Sequence, residues 1–180
     1  MPPKLATVAV LGLAGAVVAG CGSDAAETPA PGAAPTPQVT EPGPFFGACG
    51  SVTDDEVARA FGLGSFAQVT RNSVGCEWEL VGAGGPSVTF SWYRGSPIGR
   101  ERAGSDLIGR PAIDVEIDGR PGFQGSAQND VGQTVLCEIG VQFGSDFVHW
   151  SVTYGPFTPA ADACVVARDL AELSAERAQE

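Results

Sequence analysis

The chain has 180 residues, 43% of them hydrophobic, and a formal net charge of −11 from 21 acidic and 10 basic side chains. That length suits one ordinary domain with its own core. The acidic balance excludes a nucleic-acid-binding face and a polybasic hold on anionic lipid, both of which need clustered cations.

The chain opens MPPKLATVAVLGLAGAVVAGC. Lys4 gives a positive start, and Leu5 to Val18 is an uncharged, mostly apolar run, short for a bilayer span and suited to a signal sequence. It ends in Val18, Ala19, Gly20 and Cys21, an aliphatic residue, two small ones and a cysteine, the pattern of a bacterial lipobox. This predicts a lipoprotein signal peptide over residues 1–20 and Cys21 as the lipidation site, carrying diacylglycerol and palmitate-type acylation. Cleavage before Cys21 removes Lys4 and no acid, so the charge falls from −11 to −12. The membrane contact is then the lipid itself, at about 0.8 kcal/mol for each buried CH2.

Gly22 to Pro44 holds six prolines, no aromatic and almost no aliphatic side chain. It cannot build a core, so residues 21–44 read as a lipid-anchored, disordered tether reaching about 70 Å at ~3.1 Å per residue. Residues 45–180 are expected to form a single globular domain.

Within the domain, VTDDEVARAFGLG predicts a helix. Thr53 is its N-cap, Glu56 the reciprocal capping partner, Val52 and Val57 a hydrophobic staple, and Gly62 or Gly64 its stop. VGCEWEL alternates Val74, Cys76, Trp78 and Leu80 against Glu77 and Glu79. SVTFSWY alternates Val88, Phe90 and Trp92 against Ser87, Thr89, Ser91 and Tyr93, with a Gly/Pro-rich hairpin loop between the two. Ser96 as N-cap and Pro97 in the first turn predict a short, Gly-weakened helix over GSPIGRERAGSDLIG. AIDVEID is a further strand, and TVLCEIGVQF and FVHWSVTY form a hairpin over Gly-Ser-Asp. The closing helix lies in TPAADACVVARDLAELSAERA, with Thr158 as cap, Pro159 in the first turn, and Val166, Leu170 and Leu173 facing the core. The expected fold class is α+β: an antiparallel β-sheet of about five to seven strands, the N- and C-terminal helices packed on one face, and two disulfides.

Four cysteines remain after Cys21, an even number that suits an oxidising compartment. A metal site is disfavoured, because the chain has no CxxC pair and a single His. Of the possible pairings, Cys49–Cys76 and Cys137–Cys164 have equal separations and each joins a helix end to a strand, so this pairing is expected.

Four constellations bear on chemistry. His149 shares a strand face with Ser151 and Thr153, but no GxSxG elbow supplies a nucleophile. DVEIDG matches half a calcium loop but has Gly125 in place of the closing Glu. Helix capping accounts for Asp54, Asp55 and Glu56. SWYRGSPIGRER concentrates Arg94, Arg100 and Arg102 beside Tyr93. Cations in the first turns of a helix oppose its dipole, so these four residues are the candidate contact for an anion or partner. The competing reading is ordinary pairing with neighbouring acids such as Glu101 and Asp106. The parity of the strand buries Trp92, leaving Tyr93 as the stacking face.

The segments FFGACGSVTDDEV, NSVGCEWEL, FSWYRGSPIGRER, LCEIGVQF and HWSV, after a lipobox and Pro-rich tether, resemble the actinobacterial lipoprotein family of unknown function, mycobacterial LprB/LprC type. The resemblance implies a cell-envelope lipoprotein and brings no catalytic residues. The expected function is a non-catalytic binding module at the extracytoplasmic face of the cell membrane, monomeric, without cofactor or metal. Its partners would be the membrane, through the lipid, and an envelope protein or component. The alternatives are a carrier of a lipid or small apolar ligand, which needs a large cavity, and an enzyme, which needs acid, base and nucleophile around His149.

Overall fold

The computed structural model describes residues 41–82 and 84–178. The signal peptide, Cys21 and the tether up to residue 40 lie outside the described residues. Seven strands form one antiparallel sheet: β1 (Gln68–Asn72), β2 (Gly75–Glu79), β3 (Ser87–Tyr93), β4 (Ile113–Ile117), β5 (Arg120–Gln128), β6 (Thr134–Phe143) and β7 (Asp146–Thr153). Their spatial order is β1-β2-β3-β7-β6-β5-β4. Two meanders, β1–β3 and β4–β7, are therefore joined along β3 and β7, in register from Ser87↔Thr153 to Tyr93↔Phe147.

Alternation along these strands sends Cys76, Trp78, Val88, Phe90, Cys137, Ile139, Trp150 and Val152 to one face, where they are buried. Helices α1 (Asp54–Phe61) and α3 (Ala163–Glu176) cover that face, as expected. Trp78 and Trp150 stack at 5.8 Å, and the Trp150 indole donates to the Ser174 hydroxyl of α3 at 3.0 Å. The Tyr154 hydroxyl donates to the Phe61 carbonyl at 2.8 Å. Each deep aromatic thus has a partner for its polar tip. The bridges are Cys49–Cys76 and Cys137–Cys164, each with a sequence separation of 27.

Helix α1 has the expected capping box, and Gly62 ends it in the left-handed region at φ 79°. The cap of α3 is Asp162 rather than Thr158; its carboxylate accepts from the backbone N–H groups of Cys164 and Val165 at 2.8 and 3.2 Å. Helix α2 (Ile98–Leu107) starts one residue after Pro97, which is its N-cap, and Ser96 makes no capping bond. It has no apolar stripe, and Ser105 is its buried side chain. Leaving the central strand β3 and returning at the edge strand β4, α2 crosses the second face of the sheet, over β5 and β6. Gly125 permits the crossing: a Cβ there would lie 2.2 Å from the Ser105 hydroxyl.

Strands β1 and β5 come in addition to those expected. β1 is a polar edge strand, with Val69 half-buried and its other side chains exposed. Asp118 and Gly119, at φ 49° and 71°, form the tight turn from β4 into β5. The acidic run read as half a calcium loop is therefore a hairpin. Val74 is not on the buried face. It sits in the β1–β2 turn, whose backbone N–H groups at Val74 and Gly75 donate to the Asn72 side chain at 2.9 and 3.0 Å. The last residues of the Pro-rich stretch, Glu41–Pro44, lie along the domain: the Ser145 N–H donates to the Glu41 carbonyl at 2.8 Å. A Cβ on Gly43 would meet the Phe143 carbonyl at 2.6 Å.

Candidate functional site

The turn after β3 is organised by a buried carboxylate. Asp146, at the start of β7, accepts from the Gly95 N–H at 2.9 Å and from the Trp92 indole at 3.3 Å. Phe45 and Phe46 hold the other side of Trp92 edge-on, at 5.7 and 5.4 Å between ring centres. Trp92 is thus fixed in position but only half-buried. The guanidinium of Arg94 lies 4.0 Å from its ring centre, a cation–π contact. Parity puts Trp92 on the core side, where it packs against the core, but near the end of the strand it stays half-buried. The stacking face is Trp92 rather than Tyr93, whose ring lies flat against Phe147 at 4.4 Å. Burial, followed by the charge of Glu101, pushes the Tyr93 hydroxyl above its ordinary value.

The three arginines of the candidate cluster are not gathered on one site. Arg102 donates to Asp114 at 2.7 Å and to the Ala112 carbonyl at 2.9 Å, fastening α2 to the start of β4. It lines a separate hollow with Ile98 and Phe123. Arg100 is exposed on α2. Arg94 has no hydrogen bond or ion pair among the described residues.

Around Arg94 lie two adjoining clefts. One, of about 340 Å3, is lined by Val74, Ser91, Trp92, Tyr93, Arg94 and Ser96. The other, of about 270 Å3, shares Val74, Trp92 and Arg94 and adds Phe45 and the Cys49 bridge. Neither lining contains an Asp or Glu, in a chain with 21 of them. Phe45 and Val74, beside Arg94, are 56% and 58% exposed, high for large apolar side chains.

On the half of the second face that α2 crosses, Glu138 Oε2 lies 3.2 Å from Arg110 and 3.4 Å from His149 Nε2. Ser91 stands opposite His149 in the β3–β7 register. Burial pushes the Glu138 carboxyl up, but His149, Ser105 and the Arg110 charge together bring it below its ordinary value. The Ser105 hydroxyl donates to the Arg110 carbonyl at 2.7 Å, tying the end of α2 to the same group. Among the described residues no serine hydroxyl is hydrogen-bonded to His149, and no cluster of His, Cys, Asp and Glu is arranged to hold a metal ion.

A family model described as "Protein of unknown function (DUF3558)" matches residues 16–177. The chain belongs to this family. Similar curated proteins carry the name "Putative lipoprotein LprB". The Mycobacterium bovis protein is 40% identical over 163 residues, 87% of this chain and 86% of its own. The Mycobacterium leprae protein is 38% identical over 162 residues, 88% and 85% of the two chains. No solved structure matches the chain. Membership of this lipoprotein-containing family agrees with the resemblance carried by the Cys and Trp motifs. Among the described residues of this DUF3558 chain, no helix is long and apolar enough to cross a membrane.

Sequence reasoning found Arg94 but missed Phe45 and Val74 as its neighbours. The dipeptide Asn72–Ser73 before Val74 was the available sign of a turn.

Proposed function

We propose that this chain is a lipid-anchored, non-catalytic binding module of the cell envelope. Residues 1–20 direct export, Cys21 carries the lipid at the extracytoplasmic face of the cell membrane, and the domain engages an envelope protein or component. The observation that carries the binding reading is Arg94, stacked on a fixed Trp92 in a cleft whose lining holds no acid, and without a hydrogen bond or ion pair among the described residues. The relatives named as lipoproteins support the anchor.

The packing favours an interaction module over a carrier. Phe46, Trp78, Ile139, Trp150 and Leu170 fill the space between the sheet and α3, where an apolar ligand would otherwise have to sit. Metabolic labelling with a radiolabelled or clickable fatty acid tests the anchor. Wild type should incorporate label and Cys21→Ala should not. Label persisting on Cys21→Ala overturns the assignment.

A further inference from the structure

We infer that the Phe45–Val74–Trp92–Arg94 patch is a membrane-docking surface, which seats the domain on the bilayer holding its own lipid anchor. Phe45 and Val74 would enter the interfacial layer, and Arg94 would take a phospholipid phosphate. The inference rests on the proposed anchoring at Cys21 and adds a second contact to it.

Three observations select this occupant. The first is position. The chain reaches the domain at Glu41–Pro44, along the β6–β7 turn, and the next residue is Phe45, whose ring packs on Trp92. An anchor at Cys21 therefore joins the domain at the margin of this patch. The second is charge. An anchored chain with a formal net charge of −12 is repelled by anionic headgroups, and this patch presents a guanidinium that has no ion pair among the described residues and no acid in its lining. Guanidinium forks match phosphate oxygens, and the stack on Trp92 pre-orients the fork. The third is composition. A half-exposed indole flanked by exposed apolar side chains and an arginine suits the headgroup layer, where an amphipathic ring has one side apolar and one side wet.

Another group of exposed apolar side chains gives a built-in comparison. Leu107, Ile108 and Ile113 are 87%, 65% and 56% exposed at the far end of α2. Asp106 and Asp114 stand among them, and the neighbouring Arg102 and Arg110 are taken up by Asp114 and Glu138, so among the described residues this group offers an anionic surface no free guanidinium. Charge, rather than apolar exposure alone, thus favours the Arg94 patch. One cation and two apolar side chains make a weak contact. Tethering compensates, because an anchor at Cys21 holds the domain at roughly millimolar effective concentration against the surface.

The tryptophans supply the readout. Trp78 and Trp150 are fully buried, so Trp92 is the one that brominated acyl chains can quench. The chain from Cys21 onward contains every described element. Its other cysteines are paired, so Cys21 can be coupled to a maleimide-phospholipid in vesicles of phosphatidylglycerol and phosphatidylcholine with brominated acyl chains. Coupling is chemical, so the result does not depend on lipidation in the cell, which labelling decides separately. Wild type should lose Trp92 emission relative to unbrominated vesicles. Val74→Asp, the milder Val74→Ser and Arg94→Glu should abolish or weaken that loss, at melting temperatures matching wild type. Leu107→Asp should leave it intact. The proposal is overturned by an unquenched wild type, by quenching that survives both Val74→Asp and Arg94→Glu, or by quenching that Leu107→Asp removes. An equal change of Trp92 emission with inorganic phosphate alone would assign the cleft to a soluble oxyanion and also overturn membrane docking.

Discussion

Asp146 sets the geometry of the Arg94 turn from behind, at 5% exposure, by bonding the Trp92 indole of β3 and the Gly95 N–H of the turn after it, 54 and 51 residues away in sequence. Asp146→Ala takes the charged acceptor from the Gly95 N–H and from the half-buried Trp92 indole and should cost about 1.5–3 kcal/mol, read as a lower melting midpoint with red-shifted Trp92 emission. Asp146→Asn should recover part of both. Glu56 joins α1 to α3. Its carboxylate accepts from Arg177 at 2.7 and 2.9 Å and from the Thr53 N–H at 2.9 Å. The Arg177 bond first, and the Thr53 bonds next, hold its carboxyl far below the ordinary range. A folded value below the unfolded one stabilises the fold above the ordinary glutamate value of about 4.3, and the contribution is lost as pH falls through the folded value. Melting midpoints measured from pH 6 down to pH 2 should therefore fall more steeply for wild type than for Glu56→Gln. Parallel curves would show that this pair adds nothing.

The elements divide by how they were encoded. Helix α1, β2, β3, β6 and β7 were legible because their periodicity serves burial: Val57 and Phe61, Cys76 and Trp78, and Val88 and Phe90 are all in the core. β5 was not legible, because RPGFQGSAQ reads as a loop. Its glycines exist for close approach: a Cβ on Gly122 would lie 2.3 Å from the Gly140 carbonyl. Phe123 in turn lies over Gly140, where a Cβ would meet its ring at 2.5 Å. β1 escaped because an edge strand open on both sides has little to bury. The arginine-rich segment promised one site. It divided because α2 turns Arg102 toward Asp114, a pairing that depends on fold topology rather than sequence spacing. The boundary of the tether likewise depends on tertiary contacts. Deleting residues 22–40 should leave the melt unchanged, whereas deleting residues 22–44 should lower it by removing the Glu41 and Gly43 contacts with the β6–β7 turn. Equal melts for the two deletions would show that these contacts add nothing to stability.

At the scale of the whole molecule, the sheet has one face closed by α1 and α3 and another half-crossed by the weakly amphipathic α2. Stability should therefore concentrate on the first face. Cys137→Ala with Cys164→Ala releases α3 from β6 and should cost roughly 2–5 kcal/mol. Arg102→Ala loosens α2 at the surface and should cost at most about 1 kcal/mol. Chemical denaturation of the variants against wild type measures both. An equal loss would place α2 in the cooperative core.

The connectivity of the bridges also bears on how the chain is made. The four cysteines of the domain pair in sequence order, Cys49 with Cys76 and Cys137 with Cys164. An oxidase acting on a chain threaded outward from its N-terminus meets native partners in order. Cys49 finds Cys76 before Cys137 has emerged, and Cys137 then has only Cys164 left to meet. On the proposed export, with Cys21 taken up by lipid, the bond pattern would need no later reshuffling and isomerase activity would be dispensable. A chain refolded whole from the reduced state has no such order, and must sort the native pairing from the two wrong ones.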